Sequence, residues 1–121
     1  MPIKKILVVD DSPTDRQFLL EGLSKLGYQV VLAESGEQGI AKAKSERPDL
    51  VLMDVVMPGT NGFQATRQIA RDEATKSIPV IMCTSKSQET DRIWGMRQGA
   101  KDYVVKPVNI AELAAKIAAL G

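Results

Sequence analysis

The chain has 121 residues, 44% of them apolar and 26% charged, which suits one globular domain with a core of its own. The formal net charge of +1 supplies no global pull toward nucleic acid or a membrane surface. One cysteine and no histidine exclude an intramolecular disulfide, Cys-rich zinc sites and every catalytic scheme that needs an imidazole, so a metal here would take oxygen ligands, as Mg²⁺ or Ca²⁺ does.

The first apolar run, Ile6 to Val9, is too short for a signal peptide's apolar stretch and reads as a strand ending at Asp10-Asp11. Ser12-Pro13-Thr14-Asp15 then opens a helix with a capping serine, a proline at the first helical position and an acid in the first turn. Leu19, Leu23 and Leu26 mark its inner face, and Gly27 stops it. Val30 to Ala33 is a second strand, followed by a helix that Ser35 caps and that runs to about Ser45. Leu50 to Met53 is a third strand and ends at Asp54; a helix follows over Gly62 to Arg71. Val80 to Cys83 ends at Thr84, with a helix predicted over Ser87 to Gln98. Tyr103 to Val105 ends at Lys106-Pro107, and Asn109-Ile110-Ala111-Glu112 resembles a capping box before a last helix with Ile110, Leu113, Ala114 and Ile117 inside.

Strands of continuous apolar character alternating with helices predict an α/β fold: a doubly wound, five-stranded parallel sheet flanked by five helices. No segment approaches the roughly 20 apolar residues of a membrane span. No linker or repeat interrupts the pattern, so residues 1–121 are expected to form one domain without an output domain, in the cytoplasm.

Ligands in such folds bind beyond the carboxyl ends of the strands, where the strand order reverses. The polar residues there are Asp10 and Asp11, Asp54, Thr84 and Lys106. Two like charges about 4 Å apart repel by roughly 4 kcal/mol at an effective dielectric near 20, so three clustered carboxylates need a counter-charge. Lys106 supplies one charge and Mg²⁺ would supply two, held by Asp11 and Asp54 with Asp10 orienting a bound water. A carboxylate so placed can serve as a nucleophile, and Asp54, ending the central strand, is the best candidate. Thr84 and Lys106 then stabilise the transferring phosphoryl group. Taken singly, each of these residues is more simply a turn former, cap or surface lysine; their joint placement at one sheet edge carries the functional reading.

Val9-Asp10-Asp11-Ser12, Leu52-Met53-Asp54-Val55-Val56-Met57-Pro58-Gly59, Thr84 and Lys106-Pro107 together resemble the signature of the response-regulator receiver family, a CheY-like, flavodoxin-like (βα)5 fold, over essentially the whole chain. The resemblance implies Asp54 as phosphoacceptor, Asp10, Asp11, Asp54 and the Val56 backbone carbonyl around Mg²⁺, Thr84 and Lys106 as phosphoryl contacts, and a cis bond between Lys106 and Pro107. It implies that the donor is a phosphohistidine on a partner kinase, and that the chain catalyses only its own phosphorylation and dephosphorylation. Val56 and Lys86, two residues after Asp54 and Thr84, occupy positions that flank the phosphoryl group in receivers and would tune its lifetime; the plainer alternative makes them ordinary loop residues. Thr84 is the expected sensor and Tyr103 the switch aromatic, unless Tyr103 is only a strand residue with its hydroxyl at the surface. The fourth helix, fifth strand and fifth helix would then form the partner surface. Trp94 is either an exposed anchor there or part of the core, and Cys83 is expected to be an inert buried strand residue.

Gly62-Phe63-Gln64-Ala65-Thr66-Arg67-Gln68 and the stretch from Gln88 to Ala100 resemble the PilH-type regulators of twitching motility. That implies a chemosensory histidine kinase as donor, a motility or pilus protein downstream, and a monomer that binds no nucleic acid and inserts in no membrane. A chemotaxis-type shuttle or a phosphate sink is the alternative within the family. Outside it stand a phosphohydrolase with an aspartyl nucleophile, whose pattern after the first strand is Asp-x-Asp rather than Asp10-Asp11, and a flavin- or nucleotide-binding module, which needs a phosphate-cradling loop where an acidic pair repels phosphate unless metal intervenes.

Overall fold

A computed structural model describes residues 2–121. The order of elements is β1 (Lys5–Val9), α1 (Pro13–Lys25), β2 (Gln29–Ala33), α2 (Gly36–Glu46), β3 (Leu50–Met53), α3 (Gly62–Arg71), β4 (Val80–Thr84), α4 (Glu89–Arg97), β5 (Asp102–Val105) and α5 (Ile110–Leu120). All strand pairs are parallel and the sheet order is β2-β1-β3-β4-β5. The winding reverses between β1 and β3, which places the switch point between Asp10 and Asp54.

Alternation along the strands feeds two cores. Val9, Val51, Met53, Met82 and Tyr103 pack with Ala43 of α2 and Ala65 and Ile69 of α3. Ile6, Val8, Leu52, Ile81, Cys83 and Val104 pack with Leu19 and Leu23 of α1 and Leu113 and Ile117 of α5. Full burial of each such Leu or Ile is worth about 1.5–3 kcal/mol, and together they hold the helices on their respective faces. The central strands β3 and β4 are buried throughout, as their unbroken apolar runs predict. The edge strands are not: β2 is largely half-buried and β5 leaves Val105 exposed, because an edge strand has covering on fewer sides.

Capping sets the helix starts. Ser12, Ser35, Asn61 and Asn109 each accept a hydrogen bond from the amide three residues on. Two expectations shift. Helix α4 begins at Glu89 rather than Ser87, because the Asp91 carboxylate accepts the Gln88 amide and fixes the start there. Leu26 is not on the inner face: α1 ends at Lys25, Leu26 caps it exposed, and Gly27 turns the chain with φ of +94°.

Candidate functional site

The ladder carries the chemistry-bearing residues one step past the strand ends. The Asp10 amide donates to Ala33, the Asp54 amide to Val9 and the Lys106 amide to Thr84, at 3.1, 2.9 and 2.9 Å. With Val9 level with Met53 and Thr84 level with Val105, Asp10 and Asp54 emerge side by side and Lys106 just beyond Thr84. The alternation that puts Val8, Leu52 and Val104 in the core beneath α1 and α5 carries Asp10, Asp54 and Lys106 to that same side.

Asp10, Asp11 and Asp54 bring carboxylate oxygens within 4.8 Å of one another. Asp10 and Asp54 are 1% and 6% exposed, whereas Asp11 is open to solvent. Asp10 is held at both oxygens: one accepts the Ser12 amide at 2.9 Å, the other the Lys106 ammonium at 2.7 Å. Arg16 donates to the Asp10 carbonyl at 2.7 Å and so braces the turn from behind. One Asp54 oxygen accepts the Val55 amide at 2.8 Å; the other lies 3.5 Å from Lys106 Nζ. Burial, and then the charge of Asp10, push the Asp54 pKa above the usual carboxylate value, while Lys106, the Thr84 hydroxyl and the Val55 amide pull it back. Burial works against the charged Lys106, but its hydrogen bonds to Asp10 and Asp15 and the charges of Asp54 and Asp10 outweigh that and raise its pKa.

Thr84 is fully buried, and its Oγ accepts the Lys86 amide at 3.3 Å. The Lys106–Pro107 peptide is cis. Val56, in the loop after Asp54, is exposed. Lys86 turns its ammonium to Asp91 of α4, at 3.8 Å, rather than toward Asp54. Tyr103 is already inward: its ring packs under α4 in the space left by Gly95, and its hydroxyl donates to the Lys86 carbonyl at 2.7 Å, so the surface-hydroxyl alternative does not hold. Burial, with the Asp91 charge, pushes that phenol to about 12. Trp94 stands exposed on α4 beside Ile93, and Cys83 is buried with its thiol pushed up to about 12, chiefly by burial.

Two residues take places that sequence reasoning does not assign them. Asp15, read as a first-turn acid, accepts Lys106 Nζ at 2.8 Å across 91 positions of chain. The signal for it lay in combining the helix opening after Asp10-Asp11 with the strand parity of Lys106. Gly62, read as a helix start, has no room for a side chain: a Cβ there would collide with the Asp54 carbonyl, and its amide donates to Val55 at 2.9 Å.

An acid-rimmed switch point with a half-buried lysine, on a β2-β1-β3-β4-β5 sheet, defines a class, and comparison agrees with it. The response regulator receiver domain model matches residues 6–118, and the chain belongs to that family. It is therefore a phosphorelay signalling protein rather than a member of a conventional enzyme family. It is similar to protein PilH of Pseudomonas aeruginosa, 59% identical over 105 residues that make up 87% of each chain. Among solved structures it resembles chemotaxis protein CheY4 of Vibrio cholerae, with a TM-score of 0.88 and 32% identity over 95% of this chain and 96% of that one. It also resembles the receiver domain of a sensor histidine kinase of P. aeruginosa, with a TM-score of 0.87 and 34% identity over 94% and 93%; that structure has a magnesium ion coordinated in its active site cleft. Among the described residues no helix is long and apolar enough to cross a membrane.

Proposed function

We propose that Asp54 receives the phosphoryl group in this chain, and that the receiver works in twitching-motility signalling. The observation that carries the first part is the Asp54 carboxylate itself: buried at the switch point, pushed toward protonation by Asp10, and within 3.5 Å of one ammonium. Carboxylates this close repel by roughly 3–4 kcal/mol per pair at an effective dielectric near 20, and one ammonium against three carboxylates leaves the cluster with a net negative charge. The donor set is all oxygen and fits Mg²⁺, which Asp10, Asp11 and Asp54 would hold with the Val56 carbonyl. When bound, the ion supplies positive charge to the phosphoryl oxygens and leaves Asp54 ionised.

In the transfer, an Asp54 oxygen forms the new bond to phosphorus while the P–N bond of a kinase phosphohistidine breaks, and the departing imidazole nitrogen keeps the electron pair. Lys106 and the Thr84 hydroxyl stabilise the equatorial oxygens. Because the Thr84 hydroxyl also accepts the Lys86 amide, and the Lys86 carbonyl holds Tyr103, movement of Thr84 toward the phosphoryl group pulls on the ring beneath α4. The exposed Trp94, Ile93 and Val105 make the α4–β5 face, continuing to α5, the surface for the downstream partner.

The donor is a chemosensory histidine kinase and the output a motility or pilus protein, reached by a cytoplasmic monomer. Higher identity to PilH than to CheY4 supports this over a chemotaxis-type shuttle. The decisive measurement is phosphotransfer from a ³²P-labelled chemosensory kinase. The native chain takes up label and Asp54→Ala takes up none; label persisting on Asp54→Ala overturns the assignment.

Val56 offers no hydrogen bond from its side chain to an attacking water, so Val56→Asn shortens the acyl-phosphate lifetime severalfold. An unchanged decay rate removes Val56 from the rate-tuning role.

A further inference from the structure

Lys106 has three N–H donors. Two of them make short bonds, to Asp10 at 2.7 Å and Asp15 at 2.8 Å, and Asp54 stands farther off at 3.5 Å. The two short bonds differ in kind. Asp10 is buried and fixed at its other oxygen by the Ser12 amide. Asp15 projects from the first turn of α1 with its side chain 42% exposed, so water can replace Lys106 on it at little cost. Asp15 is not one of the three carboxylates whose oxygens converge for a metal.

A phosphoryl group on Asp54 adds about two negative charges and three acceptor oxygens on the side where Lys106 has its longest contact. The third donor can serve one of those oxygens, and a second is freed for them only when one of the two short bonds is given up. The bond it gives up most cheaply is the exposed one. Until then, Asp15 and the phosphoryl group compete for the same cation.

We propose that Asp15 is a positioning residue: it holds Lys106 in a resting seat, shared with Asp10, and yields it when Asp54 is phosphorylated. The proposal rests on the reading of Asp54 as the phosphoacceptor. It makes the strength of the Asp15–Lys106 pair a setting on how readily the chain enters its phosphorylated state, distinct from the loop residues after Asp54 and Thr84.

The test is the affinity of the full chain for beryllofluoride with Mg²⁺, a phosphoryl mimic, followed by ¹⁹F NMR. Asp15→Asn tightens binding by roughly threefold to tenfold, the range for losing one partly exposed, charge-assisted bond. Asp15→Glu, which keeps the carboxylate, returns affinity to near the native value. In a Lys106→Met background, Asp15→Asn changes affinity less than about twofold, since the cation under competition is gone. Unchanged or weaker binding in Asp15→Asn overturns the proposal. So does equal tightening with and without Lys106, which would make Asp15 a source of general repulsion only. Should Lys106→Met bind too weakly to measure, the Asp15 ¹³Cγ resonance of the native chain decides: it shifts on addition of beryllofluoride, and a resonance that stays in place counts against release. Asp54→Ala separates the two readings. Binding that survives there defeats the phosphoacceptor assignment; binding lost there, with no Asp15 effect, defeats the resting seat alone.

Discussion

The edge around Asp54 and the face formed by α4 and β5 depart from ordinary burial in opposite directions. At the edge, Asp10 and Asp54 are taken out of water and Lys106 is half-buried beside them. On α4 and β5, Ile93, Trp94 and Val105 are left in it. Charged residues are seldom buried unless paired, and here one ammonium faces three acids. Each departure lowers what the isolated domain gains from folding, and each fits a different part of the proposed function, chemistry at one region and partner contact at the other. A short structural tie joins them, running from Thr84 through Lys86 to the Tyr103 ring under Gly95. A change of charge at one region thus has a route to the other.

The largest effect on this contrast is expected from Gly62→Ala. A Cβ at position 62 collides with the Asp54 backbone, which cannot yield as a flexible side-chain tip can. Unfolding free energy should fall by about 3 kcal/mol or more, with phosphorylation reduced as well, in a urea titration paired with phosphotransfer. A mild loss would show that the acid edge has slack that its packing denies.

Asp54→Asn is expected to move stability the other way, up by about 1–2 kcal/mol at pH 7, because it removes a buried charge that Asp10 opposes. The sign with pH follows from the raised pKa. The folded state binds the Asp54 proton more tightly than the unfolded chain, so native stability declines as pH climbs from the ordinary value of 3.8 through the raised one. The advantage of Asn should therefore vanish as pH drops below 3.8 and be complete above the folded-state value. Mg²⁺ should raise the native melting temperature and narrow the gap, since it binds the folded acid cluster. A gain independent of pH, or none, would mean that the edge carries no electrostatic strain.

Trp94→Ala gives the smallest effect. The side chain is about half exposed on α4, so unfolding free energy should change by no more than about 0.5 kcal/mol. The native emission maximum should match a solvated indole, as this is the chain's single tryptophan. A loss of about 2 kcal/mol or a blue-shifted emission would return Trp94 to the core and weaken the opposition between the two regions.

Much of the site was legible before any coordinates because the parallel α/β pattern ties chemistry to strand ends. Once Leu50 to Met53 reads as a buried strand, Asp54 stands at a strand end by necessity, and the same holds for Asp10, Thr84 and Lys106. Conversely, Leu26 read as core and lies exposed, and Tyr103 could be read two ways, because helix ends and edge strands depend on what lies next to them rather than on their own pattern. Asp15 and Gly62 escaped for a related reason. Their roles arise from distances to Lys106 and to the Asp54 backbone, set by how α1 and α3 dock on the sheet.

Local chemistry along the chain determined the order of strands and helices, their caps, and the set of acids, hydroxyl and amine that meet at one edge, since periodicity and capping act over a few residues. Tertiary packing alone decided which carboxylates hold Lys106, that the Tyr103 ring lies inward and that Trp94 faces water. These outcomes turn on separations of a few ångströms between groups distant in sequence, where hydrogen bonding and desolvation change steeply with distance.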